Sequence, residues 1–321
     1  MEQRTFFGEN EKLRKLSKMG DPLEQLNRYI DWRIFEATLT EILYKENGNL
    51  GGRPAYDYVL MFKIAILQQI YNLSDDACEY QINDRISFQR FLGLSIDSTI
   101  PDAKTIWAFK EKISKAEKGK EVFEVFAKQL KMAGVITHKG SIVDASFVEV
   151  PRQHKEDKQD KDASWTKKRD EYHYGYKNNV KVDADSKLIS KYSVCPANVA
   201  DNKAIPALVD KDDEKLYGDK AYVGKNIESA IKEINPRIKI RILKKAFRNR
   251  PLSEKDKKLN TLKSKIRSKV EHVFGQMKQS MNGLEIRCKG ISRATTSVML
   301  KNLTYNLKRF AYLRHKRMVS A

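Results

Sequence analysis

The apolar residues of this chain change their period at Gly134, and that change restricts the possible folds more than any other feature. Upstream the spacing is helical. Leu23, Leu26, Tyr29, Ile30, Ile34 and Phe35 share one face of a helix that begins at Pro22. Residues 47–52, rich in Gly and Asn, interrupt the pattern. Further helices are expected over 56–71, over 77–83 with Ser74 and Asp75 as N-cap, around Ile86, Phe88 and Phe91, over 103–113 and over 121–132. Residues 1–20 read as polar and loosely ordered. Residues 1–133 are therefore expected to form an all-helical domain.

Downstream the pattern alternates between strand and helix. Residues 140–148 are short, β-branched and apolar, as a buried strand is. The charged tract 153–171 has neither period and reads as a mobile loop. Two strands, 174–183 and 188–195, flank a turn at Asp185 and Ser186. A helix over 201–209, a strand over 215–218 ending at Asp219, a helix over 225–234 and a strand over 238–242 follow. After a basic loop, one long helix is expected over 260–280 and a last one over 295–313. Hairpin strands followed by alternating strand and helix give an α+β or mixed α/β class, with helices flanking a mixed sheet. That is the element order of a ribonuclease H-like fold, here assigned to residues 134–321.

Charge narrows the partner. With 62 Lys and Arg against 42 Asp and Glu, the formal net charge is +20. Such an excess points to a polyanion, nucleic acid first, although a merely basic protein has the same balance. Cys78, Cys195 and Cys288 are odd in number and far apart, which suggests neither a zinc ribbon nor a disulfide framework. No signal peptide is read at the start, and no apolar run approaches the ~18 residues of a membrane span. The expected protein acts in the cytoplasm, on the nucleoid, without a membrane or a small-molecule substrate.

Three carboxylates stand out by context. Asp144 lies between Val143 and Ala145 inside an apolar strand, where a charge is costly unless paired or bound to metal. Asp219 ends a short strand, and ligands gather outside the carboxyl ends of strands in open sheets. A turn or helix cap would use an Asp there equally well. Glu271 lies on the long helix, on whose wheel Leu262, Ile266, Val270, Val273 and Met277 form one face. Arg267, Glu271 and Lys278 form the opposite one, which a solvated ion-pair stripe would also explain. The surrounding stretch 237–269 holds 14 Lys or Arg and two acids. A carboxylate among so many cations suits a site that also holds phosphate. Phosphodiester chemistry needs positioning and charge stabilisation, which two metal ions about 3.5–4 Å apart provide. Hard ions such as Mg²⁺, with Mn²⁺ able to substitute, take carboxylate oxygens.

At these residues the chain resembles the DDE transposases of bacterial insertion sequences and is similar to the family named after insertion sequence five. The likeness runs from about Gly52 to Leu307. Residues 52–56, 59–70 and 74–94 resemble that family's helical domain. Residues 142–146 resemble the strand with its first catalytic Asp, 173–177 the next strand, and 218–222 the segment with its second Asp. Arg267, Glu271 and Lys278 match its Arg, three residues, Glu, six residues, Lys signature. The resemblance implies that Asp144 bridges two metal ions, that Asp219 and Glu271 each hold one, and that Arg267 and Lys278 contact phosphate. Ser264 stands where related transposases carry a DNA-contacting Tyr.

Weaker signals complete the reading. Lys244, Lys245, Arg248 and Arg250 form a basic run that would track a DNA backbone or simply be solvated. Trp165 would stack on an unpaired base near a cut end or anchor its own loop. His272 suits packing or a DNA contact better than metal. Two short helices meeting near 72–75 loosely fit a helix-turn-helix, with Arg85, Gln89 and Arg90 as base-reading candidates, but a helical scaffold or dimer surface fits them as well. The implied enzyme cuts DNA at the ends of its element and joins the freed 3′-hydroxyl to target DNA. Its partners would be the terminal inverted repeats and a target duplex, held by a homodimer. The competing functions are a transposase-derived DNA binder without activity and a metal-dependent nuclease of the same fold.

Overall fold

The computed structural model describes residues 6–44, 54–95, 97–152, 159–168, 170–222, 224–244, 246 and 251–319. The break at 47–52 and the candidates Lys245, Arg248 and Arg250 lie outside them. The chain forms two compact units. One runs to Lys118 and resumes at Leu307; the other is Gly119–Asn306.

The first unit contains α1 (Phe6–Lys18), α2 (Pro22–Tyr29), α3 (Glu36–Leu43), α4 (Tyr58–Tyr71), α5 (Asp75–Asp84), α6 (Ile86–Leu92) and α7 (Ala103–Ala116). α1 replaces the loose segment expected before residue 20. α4 is apolar on nearly every side, so it becomes the central helix, with Phe62, Ile64, Ala65, Ile66 and Leu67 fully buried. Asn72 ends it in the left-handed conformation, and Ser74 caps α5 by accepting the Ala77 N–H at 3.1 Å.

Two of the base-reading candidates are used internally. Gln89 is buried and its amide donates to the carbonyls of Ile82 and Asn83 at 3.1 and 3.2 Å. Arg90 donates to the Leu13 carbonyl and the Ser17 hydroxyl and pairs with Asp21, tying α6 to α1 and α2. The Gln89 amide and both Arg90 Nη groups are engaged within the fold, which goes against the expectation of base contacts for either. Arg85 remains at the surface, its guanidinium 5.1 Å from the Phe88 ring.

The second unit begins with α8 (Gly119–Met132), which sits on the sheet through a Phe123–Tyr192 ring contact at 4.9 Å. This places the division between units at residue 118, ahead of the period change at Gly134. The sheet comprises β1 (Ser141–Glu149), β2 (Ser164–Lys168), β3 (Glu171–Asp183), β4 (Ile189–Pro196), β5 (Lys215–Tyr217) and β6 (Lys239–Ile240). Its order is β2-β3-β1-β5-β6, with β4 also paired to β3. β1, β3, β4 and β2 are antiparallel neighbours, whereas β5 and β6 continue parallel to β1. β2 lies inside the tract expected to be a structureless loop. Helices α9 (Ile205–Leu208), α10 (Lys225–Ile234), α11 (Glu254–Arg267), α12 (Lys269–Ser280) and α13 (Ile291–Val319) complete the chain. Ile205, Leu208 and Ile231 pack with Val143 and Leu216 of the sheet. Reciprocal amide bonds between Asn178 and Asn302, at 2.8 and 3.1 Å, fix α13 to β3.

The expected single helix 260–280 is two helices meeting at Ser268. Val270, Val273 and Met277 are buried as the wheel required, but Leu262 is 63% exposed and α11 buries no side chain. The apolar face therefore belongs to α12 alone.

Gly175 has φ +145°, and a Cβ there would lie 2.1 Å from the Val148 carbonyl oxygen of the paired strand. Backbone held in a Gly-only region costs other residues ~1–3 kcal/mol before any clash is added. Gly175→Ala is expected to lower the thermal midpoint by roughly 5 °C or more at ~2–4 °C per kcal/mol; an unchanged melting curve would refute the tight β1–β3 approach.

Candidate active site

Strand register sets two of the carboxylates side by side. β1 and β5 are parallel, with Ile142 opposite Tyr217. Asp144 follows that pair by two residues within β1, and Asp219 follows it by two residues just past the end of β5, close enough for its charge to act on Asp144. Gly218 allows the chain to leave β5 here: a Cβ on it would press on Tyr222 at 3.1 Å and Val143 at 3.2 Å. α12 packs on β1 through its buried face and turns Glu271 outward on the same side as Arg267.

Arg267 joins the set. Its Nη1 donates to Asp144 Oδ2 at 3.1 Å and its Nη2 to Glu271 Oε1 at 2.7 Å. Asp144 Oδ1 accepts the Ala145 N–H at 2.9 Å. Burial pushes the Asp144 carboxyl above the usual carboxylate range. The Ala145 N–H and Arg267 oppose this, and the negative charge of Asp219 adds to it. Tyr222, buried beside them, is held protonated by burial and then by the charges of Asp144, Asp201 and Asp219.

All three carboxylates line one open cleft of about 1130 Å³ with Arg267, Lys278 and Lys168. The donor set is chemically right for hard divalent cations: carboxylate oxygens, one of them buried against a like charge that a cation would offset. In the structure the Arg267 guanidinium supplies that positive charge between Asp144 and Glu271.

A different trio is the tightest ligand-type cluster among the described residues. His138, Asp210 and Asp213 place donor atoms within 4.8 Å of one another. The ammonium of Lys181 already neutralises this group, 2.9 Å from Asp213 Oδ2 and paired with Asp210 as well. Lys191 also pairs with Asp210 at 2.6 Å. The cluster is an ion-pair network at the start of β1 and just before β5, where Asp213 accepts from Ser141 Oγ at 2.8 Å.

The other expected residues divide. Lys278 is exposed on the cleft wall. The wall continues through Asn282, Gly283 and Leu284, and Lys301 from α13 fastens it by donating to the carbonyls of Met281 and Gly283 at 3.0 and 2.8 Å. Burial pushes the Lys301 ammonium down to about 8. Lys244 pairs with Asp256 at 2.6 Å and its backbone N–H donates to Asn260, so it lies on the protein rather than in a loose basic run. Trp165 belongs to β2, not to a loop. His272 is exposed and does not line the cleft.

Sequence reasoning missed the second wall of the cleft. Phe147 and His173 stack at 4.2 Å and 12°, and Glu149 accepts or shares the His173 Nδ1 proton at 2.9 Å. Lys168 Nζ lies 5.4 Å from the Phe147 ring. The alternation of Ala145, Phe147 and Glu149 along β1 was the signal available, since it puts these side chains on one sheet face.

Comparison with known proteins agrees with this arrangement. Residues 136–307 match the model of the transposase DDE domain, and residues 11–112 match a second model, transposase domain DUF772. Among solved structures the chain is similar to the piggyBac transposase in a cryo-EM synaptic complex with hairpin DNA. The TM-score is 0.50 at 12% identity, over 93% of this chain and 76% of that one. At that identity the likeness concerns the fold: a helical region and a mixed sheet of the ribonuclease H-like kind.

Proposed function

Since the chain belongs to the DDE-domain family of DNA transposases, we propose that Asp144, Asp219 and Glu271 are its catalytic carboxylates and hold two divalent metal ions. The observation that supports this is the β1–β5 register, in which Asp144 within β1 and Asp219 just past the carboxyl end of β5 each lie two residues beyond the Ile142–Tyr217 pair. Mg²⁺ is the natural ion and Mn²⁺ its substitute; when bound, such ions stabilise the attacking and leaving oxygens of an in-line phosphoryl transfer.

The chain's own residues position the DNA. Asp144 is held rigidly by β1 and by the Ala145 N–H, so it would serve as the fixed carboxylate of the metal-holding set. Glu271 is the most exposed of the three, at 60% for its side chain, and closes the set from α12. Arg267 and Lys278 border the cleft and take the phosphate next to the scissile bond. Lys168 adds charge from the opposite wall, and Lys244 follows the backbone farther along. Donors preset where charge develops act without reorganisation, which is what lowers the barrier. The reaction is hydrolysis at the element ends, then attack of the freed 3′-hydroxyl on a target duplex. The substrates are the terminal inverted repeats, bridged by a homodimer, and the work is done in the cytoplasm on the nucleoid. Arg85 is the remaining candidate for a base contact from the helical unit.

The test is excision and reinsertion in cells, with the gene supplied between its natural flanking sequences. The native protein is expected to move the element, and Glu271→Gln, at equal expression, to leave it in place. Equal movement by both would sink the assignment of Glu271.

A further inference from the structure

The edge hairpin β2–β3 presents two different faces. Lys168, Glu171 and His173 line the cleft. Alternation along a strand turns Trp165, Lys167 and Tyr172 the other way. Trp165 is 47% exposed and Tyr172 59% exposed, which is unusual for large rings on a sheet surface. Each carries a cation: the Arg152 guanidinium lies 4.8 Å from the Trp165 ring, and Lys167 Nζ lies 5.2 Å from the Tyr172 ring. Arg152 also donates to the Tyr172 carbonyl at 3.2 Å, so the guanidinium links the two ring positions.

The platform is built on rigid supports. Trp165 rests on Tyr174, its cross-strand partner, at 5.0 Å between ring centres. Tyr174 is buried and donates to the Asp160 carbonyl at 2.7 Å. The Asp160 carboxylate accepts from the Tyr176 hydroxyl at 2.7 Å and the Gly290 N–H at 2.9 Å, and Asp162 accepts the Ile291 N–H at 3.0 Å. The approach to β2 is thereby tied to the start of α13.

We propose that Arg152, Trp165, Lys167 and Tyr172 form a stacking platform for an unpaired stretch of the DNA that this chain binds. This deepens the transposase reading and rests on it. Trp165 and Tyr172 are diagonal neighbours across the hairpin, a relation that separates positions by ~7–8 Å. That span admits successive splayed bases. Aromatic rings stack on the faces of bases, which a duplex hides and a single strand exposes, while the cations meet the phosphates. Cations beside exposed rings suit a partner that offers anionic groups and flat faces together, whereas a duplex groove would be read by polar side chains. Single-stranded DNA is the occupant that uses both chemistries.

The test compares two probes bound to the full chain without divalent metal: a duplex of arbitrary sequence with a short oligothymidine overhang, and the same duplex blunt. The native protein is expected to prefer the overhang. Trp165→Ala is expected to weaken binding of the overhang probe by roughly tenfold, within the range for loss of one stacked base, and to leave the blunt probe unaffected. Tyr172→Ala is expected to act in the same direction, and Trp165→Phe, which keeps a ring, to retain most of the preference. Tryptophan emission of the native protein should fall with the overhang probe and not with the blunt one, and Trp165→Phe should abolish that difference. Unchanged overhang binding by both alanine variants would overturn the platform. Equal weakening on both probes would replace it with a duplex contact. Strand cutting plays no part in the readout, so failure of the carboxylate assignment with Glu271→Gln is a separate result.

Discussion

Asp144→Asn is expected to lower strand cutting by at least about a thousandfold and, in chelator, to raise the melting temperature of the Gly119–Asn306 unit. The activity loss follows from its proposed place among the metal-holding carboxylates: removing a single preset charge-stabilising donor already costs ~10²–10³ in rate, and a lost metal ligand should cost more. The stability gain follows from burial. The folded state disfavours the Asp144 charge, since its carboxyl is pushed upward despite the Ala145 N–H and Arg267. Asn keeps the shape and one acceptor oxygen, for the Ala145 N–H, while removing the desolvated charge; the lost Arg267 contact is the smaller contribution, because burial outweighs both donors. Each ~1 kcal/mol so relieved is worth roughly 2–4 °C in a unit of this size. Activity lost with unchanged or increased stability separates a site residue from a structural one. A variant that melts earlier and still cuts DNA would reverse the assignment.

The largest loss of stability is expected from Lys181→Met. The Lys181 side chain is fully buried and its ammonium reaches both Asp213 oxygens, at 2.9 and 3.2 Å. Asp213 also accepts from Ser141 Oγ at 2.8 Å and contacts His138 Nδ1 at 3.0 Å. Removing one partner of a buried pair leaves an uncompensated charge and costs ~3–5 kcal/mol, or roughly 10 °C here. Lys191 still serves Asp210, so the stranded charge is that of Asp213, and Lys181→Met combined with Asp213→Asn should recover at least half of the loss. Burial by itself would raise the Asp213 carboxyl, but the His138 contact and Lys181 more than offset it and hold it at about 2. A depressed carboxyl contributes stability above its ordinary 3.8 that is lost as pH falls through about 2. The deficit of Lys181→Met should therefore shrink as acid protonates Asp213. Thermal unfolding of native, single and double variants between neutral and acid pH measures both effects. A double variant no better than the single one would show that the network stabilises by packing and not by charge.

Much of the architecture was visible in local patterns. The period change announced helices before strands, Ser74 announced the start of α5, and the apolar setting of Asp144 announced a carboxylate in need of a partner, which Arg267 supplies. The misreadings have physical causes. β2 was hidden because an edge strand tolerates Lys and Thr along its length, which erases the apolar alternation that marks a buried strand. The division at Ser268 was hidden because no Gly or Pro marks it. It shows only in burial: α12 has a sheet to pack on, and α11 leaves Leu262 exposed. Gln89 and Arg90 looked available because their partners, Ile82, Asn83, Leu13, Ser17 and Asp21, belong to other turns and helices.

The division between sequence and structure follows the range of the forces involved. Side-chain periodicity, caps and glycine turns act within a few residues, and from them the sequence by itself determined most of the element order, the strand around Asp144, the strand end before Asp219, and the face shared by Arg267 and Glu271. Pairing acts across the chain. Only the tertiary structure decided that β1 lies beside β5 with Ile142 opposite Tyr217, and that Arg267 reaches Asp144 from 123 residues away. It also decided that Lys181 is a counter-charge of Asp213. No window of sequence contains those energies, because hydrogen bonds between strands and ion pairs between elements exist only after the sheet has closed.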